Sequence, residues 1–427
     1  MKYCIKRFGI LLFTIATVFC SCGTAKYFSE WYMPDKNENA AWQPSKNCFN
    51  SENYQISNRN VSHFPIKYIK LAFHFIKDPQ NPYFSAYEAS MYANDLVRFC
   101  NEQLANNQPM NLPLGNTTAV HPILYRYIID IDSISKKEKI FMHSDSELAY
   151  MNKKNNQRNL FWKKQYEKYG IKDDNAIDIF MLEHPKDSIY SPSYKSSMDG
   201  VGMGEWMKII GAYQQSLDSL TDENGIKQRK WAKQYVGLFN HEMGHILGLS
   251  HTWKFNDGCN DTPLHDNCWN YSNASPCDKE ISNNMMDYNA FQNSLTPCQL
   301  GKVNYNLTDK YSTIRKYLQN NWCKPEKFSD ITISKKSNII WQCNKDVEGN
   351  IILKENSTLT ISCLLSMPEN SSIKIYPGAK LILDGCKIYN ECGLLWNGIE
   401  IFSSEKNKGS IEILNNTVIE NLKSKAK

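Results

Sequence analysis

His241-Glu242-Met243-Gly244-His245-Ile246-Leu247-Gly248-Leu249-Ser250-His251 is the stretch from which the rest of this chain is best understood. Trp231, Tyr235, Leu238 and Phe239 lead into it at helical spacing, which predicts a helix from about Trp231 to Leu247. On that helix residues 241 and 245 lie one turn apart and project the same way, so two imidazole nitrogens can reach one zinc ion. Glu242 is rotated about 100° from His241, beside the pair, where it can take a proton from metal-bound water without occupying the metal. Gly248 permits a sharp turn at which a Cβ would be costly. That turn brings His251 round as a third ligand. Three neutral imidazoles leave the ion dipositive with one position open to water, whose pKa then falls from 15.7 towards about 7. Glu242 would be general base, and later the acid that returns the proton to a leaving amine. A lone His is most often a core residue. With 9 His in 427 residues, three at these offsets with a Glu and a Gly arise by chance at roughly 10⁻⁵ per chain.

The length of 427 residues predicts two or three units, and 41% hydrophobic with 22% charged residues is globular composition. Residues 1–22 read as an export signal: Lys2, Lys6 and Arg7 precede an apolar run at 8–19. Twelve residues span roughly 18 Å as helix, short of a ~30 Å hydrocarbon core. Ser21-Cys22 resembles a bacterial lipoprotein signal, with Cys22 as the lipid attachment site and an outer-membrane or cell-surface location. The other reading is secretion, or residence in the periplasm, with Cys22 a plain thiol. The net charge of +5 includes the three basic residues of the signal, and the +2 that remains gives no reason to expect nucleic acid. Of 14 cysteines, 11 remain after Cys4, Cys20 and Cys22 are set aside, and export favours disulfides among them.

Residues 23–64 are polar and aperiodic, as a linker or propeptide would be. Residues 68–75 suggest a strand, 86–104 a helix, and 121–134 and 176–182 further strands, with a Lys/Asn-rich stretch at 136–172 expected to be partly helical and exposed. After Cys323 the composition shifts to short β-rich runs. Leu359-Thr360-Ile361-Ser362-Cys363 recurs 22 residues on as Leu381-Ile382-Leu383-Asp384-Gly385-Cys386. A period near 20 with one short strand per segment predicts a β-solenoid, with a small β-sandwich as the other arrangement the alternation permits. Pro377-Gly378-Ala379-Lys380-Leu381 and Trp396-Asn397-Gly398-Ile399 resemble parallel β-helix segments of bacterial surface proteins.

Asn284-Met285-Met286-Asp287-Tyr288 lies downstream of the histidines. A long zinc motif followed by such a methionine turn resembles the metzincin clan of metallopeptidases. Within it, His251-Thr252-Trp253, Cys259-Asn260-Asp261-Thr262-Pro263, the Asn-x-Met-Asp-Tyr turn and Leu295-Thr296-Pro297-Cys298-Gln299 resemble the pappalysin family. The resemblance implies that Met286 lies beneath the metal site and that Tyr288 faces the metal and steadies the tetrahedral intermediate. It implies disulfides pairing Cys259 with Cys277 and Cys268 with Cys298. It raises a structural Ca2+ near Asp261 and Thr262, against which stands their reading as turn residues. It also raises Cys48, the one cysteine of 23–64, as a latency switch on the zinc, against a disulfide with a partner such as Cys100.

The expected architecture is thus a signal (1–22), a linker or propeptide (23–64), an α+β metzincin-like domain with a twisted mixed sheet and a long active-site helix (65–323), and an all-β solenoid (330–427). The expected activity is zinc-dependent endopeptidase action on protein or peptide substrates, with residues 176–182 as the edge strand that pairs with substrate. The competing reading is a surface adhesin or scaffold lipoprotein whose zinc is only structural and whose solenoid binds a partner.

Overall fold

Strand β2 (Lys67–Lys77) has no polar face: residues 71–76 are all buried. A strand covered on both sides belongs inside a largely parallel sheet, and β2 occupies that place. The computed structural model describes residues 27–34, 42–57, 60–150, 153–154, 157–158, 163–172, 175–184, 200–218, 231–253, 256–264, 280–287 and 291–424. Along one edge of β2 run β3 (Tyr125–Ile129) and then β4 (Ile140–Ser144); along the other lie β7 (Ile177–Leu182), β9 (Trp206–Ile210) and finally β8 (Gly200–Met203). All pairings are parallel except β8 with β9. Strands β5 (Lys153–Lys154) and β6 (Gln157–Arg158) form a separate small hairpin.

The two faces of this sheet have different covers. Leu71, Phe73, Ile177, Ile179 and Ile209 point to one side, where they meet helix α1 (Ala86–Ala105) and Phe239 and Met243. Ile76, Phe180, Leu182 and Trp206 point to the other, under Leu148 and Tyr166. Helix α1 starts where Ser85 and Glu88 form a reciprocal capping box, which satisfies two backbone donors at its first turn.

Several expectations change here. The strand expected over 121–134 is confined to β3, and the stretch expected to be exposed contains β4, whose half-buried side chains carry no clear alternation. The run 176–182 is not the sheet edge. All six residues of β7 are buried and the strand is paired with β2 on one side and β9 on the other, its one charged residue, Asp178, being buried against His74; so nearly continuous an apolar run marks an interior strand, and the antiparallel edge is β8.

From residue 331 onward three strands recur in each segment rather than one, and every pairing between segments is parallel. One ladder stacks β10 (Ile331–Ile333), β13 (Ile351–Leu353), β16 (Ser372–Ile375) and β19 (Gly398–Ser403). A second stacks β11 (Asn338–Trp341), β14 (Thr358–Ile361), β17 (Lys380–Asp384) and β20 (Ser410–Leu414). The third stacks β12 (Lys345–Asp346), β15 (Leu364–Ser366), β18 (Lys387–Tyr389) and β21 (Val418–Ile419). Register puts like on like, as with Ile331, Ile351, Ile373 and Ile399, and these columns form a separate apolar core.

Where they are described, residues 23–64 are packed rather than loose. Strand β1 (Phe28–Tyr32) adds antiparallel to β19. The Trp42 indole donates to the Gly385 carbonyl, and Tyr54 is fully buried, accepting from the Asn344 amide. Cys48 is bonded to Cys363, so its sulfur has no thiolate to offer a metal and the latency-switch expectation is withdrawn; Cys100 is a buried free thiol. The segment is held by isolated aromatic anchors and one cross-link, which leave no periodic pattern to read. Cys22 lies outside the described residues. Among the described residues no helix is long and apolar enough to cross a membrane.

The sheet half and the ladder half meet on buried charge. Asp346 Oδ2 lies 2.5 Å from Lys67 Nζ, its Oδ1 2.7 Å from Arg315 Nη2, and Arg315 also bonds Glu391. A disulfide between Cys323 and Cys392 closes the same junction. Burial alone would raise the Asp346 carboxyl, but the Arg315 and Lys67 charges outweigh it and hold the group below the usual carboxylate range. Burial lowers the Lys67 ammonium against the pull of Asp346. Arg315 stays charged throughout.

Replacing Asp346→Ala leaves the buried Lys67 without its carboxylate and Arg315 with Glu391 alone, and should destabilise the fold by about 3–5 kcal/mol in denaturant unfolding. A depressed carboxylate contributes stability that is complete above the ordinary value of about 4 and is lost as pH falls through the lower folded-state value. The wild-type advantage over Asp346→Ala should therefore shrink only in acid. An advantage that did not change with pH would point to packing rather than charge.

Candidate metal centre

The predicted helix begins with a 3-10 turn, Trp231–Tyr235, and continues as α-helix from Val236 to Ile246. Its end is set by Gly248 at φ +92°, a conformation that disfavours any Cβ. The amide of Leu249 returns to the Gly244 carbonyl, and Asn306, from the helix Pro297–Thr308, donates to the Leu247 carbonyl at 2.8 Å. A Cβ on Gly248 would overlap the Asn306 amide. The chain thereby reverses, and His251 comes back onto the face that carries His241 and His245.

The three Nε2 atoms converge. They lie 3.2 Å apart for 241–245 and for 241–251, and 3.0 Å for 245–251. His241 Nδ1 donates to the Met285 carbonyl at 2.8 Å and His245 Nδ1 to the Leu249 carbonyl at 2.9 Å. A carbonyl can only accept, so both rings carry their proton on Nδ1 and present a bare Nε2 lone pair to the common centre; the Gln292 side-chain amide, 3.0 Å from His241 Nδ1, donates to the Asp287 carbonyl at 2.6 Å. Two such lone pairs cannot bond each other. A cation can bond both. Zinc–nitrogen bonds of ~2.05 Å at near-tetrahedral angles would separate ligand atoms by about 3.3 Å, so the donor set fits zinc. Burial lowers the His241 imidazolium to about 3 and that of His251 to about 4, each helped by the neighbouring His245, which is itself lowered by burial. The rings are neutral ligands at neutral pH.

Glu242 is 7% exposed. Burial raises its carboxyl to about 7, opposed by a hydrogen bond that Oε2 accepts from the Gly202 amide at 2.7 Å. Gly202 belongs to β8, and a Cβ there would overlap the Glu242 backbone carbonyl. The sheet edge therefore rests directly on the metal-motif helix. Sequence reading missed Gly202, although Gly200-Val201-Gly202 in a strand is a signal of close backbone approach.

Beneath the histidines, Asn284–Asp287 forms a tight turn. The Asn284 side chain accepts from the Met286 amide, and the Thr252 amide donates to the Met286 carbonyl. Met286 is fully buried, with its sulfur against the site where a Gly244 Cβ would be. Gly244 was the second residue missed, inside the quoted motif itself. Tyr288 lies outside the described residues.

A second cluster of metal-ligand residue types joins Cys259, Asp261 and Cys298. Here the two sulfurs are bonded to each other, with Cα atoms 5.7 Å apart. That bond overturns both expected pairings, Cys259 with Cys277 and Cys268 with Cys298, since each needs one of these two sulfurs; Cys268 and Cys277 lie outside the described residues. The cause is Asp261, whose carboxylate accepts from Thr296 Oγ1 and the Cys298 amide and so docks the Cys259 turn onto the start of the helix Pro297–Thr308. Thr262 donates to Asp257. These oxygens are engaged as turn and cap partners, in keeping with their reading as turn residues.

No protein-family model matches the chain, and no curated protein matches it. Among solved structures it is similar to mirolysin in complex with compound 9 and to mature mirolysin of Tannerella forsythia with a cleaved peptide, each at 14% identity and a TM-score of 0.39, covering 59% of this chain and 96% and 95% of the other. It is also similar to a Tannerella forsythia promirolysin mutant at 15% identity and a TM-score of 0.36, covering 62% of this chain and 87% of that one. So remote a likeness leaves the assignment to the geometry of the site.

Gly244→Ala would drive a methyl into the Met286 sulfur without touching a ligand, and should lower stability by about 1–3 kcal/mol. A Gly244→Ala, Met286→Ala double variant should be less destabilised than the sum of the two singles, measured by thermal unfolding. Strict additivity would place the two residues out of contact.

Proposed function

We propose that this chain is a zinc-dependent endopeptidase, with His241, His245 and His251 holding the ion through Nε2 and Glu242 moving the proton. One observation carries the reading: three neutral imidazoles aim at one point, two of them with Nδ1 pinned to backbone carbonyls, beside a buried carboxylate. When bound, zinc supplies a Lewis acid for water and for the scissile carbonyl. Glu242 Oε accepts the proton of the attacking water and later gives it to the leaving nitrogen. The Gly202 amide holds that carboxylate in place on the β8 side. Tyr288, two residues beyond Met286, is assigned the hydroxyl that steadies the tetrahedral state.

Strand β8 is proposed as the edge that receives an extended substrate. It is antiparallel, is bonded to β9 on one side, and lies on the helix next to Glu242. Substrate pairing there would place a peptide bond beside the metal centre. The three parallel ladders are proposed as the faces of a β-solenoid, and Cys22 as the lipid-bearing residue that tethers the protein to a bacterial surface.

The rival reading, an adhesin or scaffold with a structural zinc, predicts a fourth protein ligand. Among the described residues none joins the three histidines, and a structural site has no use for a buried Glu242.

Glu242→Ala should still bind one zinc per chain by metal analysis, yet lose about 10²–10⁴-fold in cleavage of denatured protein. His251→Ala should lose the metal. Chelation should abolish wild-type cleavage and added zinc restore it. Undiminished proteolysis by Glu242→Ala would move the activity elsewhere, and full activity in chelator would remove zinc from it.

A further inference from the structure

A groove of about 420 Å³ runs along one corner of the ladders, far in sequence from the metal centre. Register sets its floor. Trp341, Ile361 and Leu383 pair in succession, so the residues that follow them, Gln342, Ser362 and Asp384, lie one above another. At the fourth level Leu414 pairs with Asp384, and Asn415 and Asn416, which follow it, line the end of the groove, Asn415 donating to Asp384. The opposite wall is the N-terminal strap, which contributes Gln43 and Asn47. Trp42 precedes Gln43, and its indole N–H donates to the carbonyl of Gly385, a lining residue, at 2.9 Å, which holds a half-buried ring beside the groove.

The chemistry of this surface is narrow. No lining residue is apolar or basic, and Asp384 is the one charge. Phosphate or sulfate esters would meet that carboxylate with no cation to answer them, and an acyl chain would find nothing apolar to cover. A peptide could not add as a strand, because β14 and β17 are already bonded to neighbours on both sides. What remains is a surface of amides and hydroxyls, each able to donate or accept, stacked at the strand spacing of about 4.8 Å over roughly 10 Å. Gln43, Asn47, Gln342 and Asn416 are exposed and make no side-chain hydrogen bond to the described residues. Sugar hydroxyls also donate and accept, their ring faces pack on indole, and their polymers are extended chains of short repeat. We propose that this groove binds a neutral polysaccharide chain along the ladder axis, with Trp42 as its aromatic edge. The proposal is independent of the peptidase reading.

The test is affinity electrophoresis of the full chain through gels containing neutral glucans of α- and β-linkage or mannan, with polygalacturonate as the anionic control. Chelator is present throughout, so failure of the zinc assignment cannot affect the result. At least one neutral glycan should retard the protein. A Gln342→Ala, Asn416→Ala variant, altered only at exposed side chains, should bind about tenfold more weakly with unchanged thermal unfolding, and Trp42→Ala should also bind more weakly. No retardation by any neutral glycan, retardation unchanged in the double variant, or retardation by polygalacturonate alone would overturn the proposal.

Discussion

Two hydrogen bonds from imidazole to backbone hold the centre together. His241 Nδ1 donates to the Met285 carbonyl and His245 Nδ1 to that of Leu249. Each fixes a ring and its tautomer at once, so that the remaining nitrogen is an acceptor and not a donor. Each also ties the metal-motif helix to something remote from it: the first to the methionine turn, the second to the reversed chain after Gly248. Those supports are held in turn. The turn leans on Gly244 through Met286, and the reversal leans on Asn306. Loosen either carbonyl and the lone pairs no longer share a point.

Helix Pro297–Thr308 links this centre to the rest of the molecule. Asn306 holds the carbonyl before Gly248, Cys298 is bonded to Cys259, and Asn304 donates to the carbonyl of Tyr54 on the strap. The strap is in turn bonded to the ladder half through Cys48 and Cys363. The buried Lys67, Arg315 and Asp346 group makes a second connection between the halves. A buried ionic group of this kind is weak evidence for net stability, but it tolerates only one docking geometry, because any other leaves a charge without its partner.

Much was legible because local rules and tertiary structure agreed. Helical periodicity placed residues 231–247, and the spacing of three histidines, a Glu and Gly248 named residues that do converge. The recurrence from Leu359 to Leu381 revealed stacking, since each parallel segment must present the same apolar face to its neighbour. Other features were hidden for identifiable reasons. A mostly apolar run such as 177–182 shows that a strand is buried but not which neighbours it has. A polar strap held by single anchors has no period. Disulfide partners depend on which sulfurs meet, and the docking of Asp261 on a helix start brought Cys259 to Cys298.

From its residues alone, then, this chain declared the three histidines that converge, the carboxylate beside them and the repeating character of its C-terminal part, because each is a pattern of chemistry at fixed local spacing. Folding decided that β8 and not β7 is the edge against Glu242, that Cys48 is a cross-link, and that Gly202 and Gly244 must lack a side chain. Those outcomes depend on contacts between segments far apart in the chain, and no local spacing encodes which distant surfaces will touch.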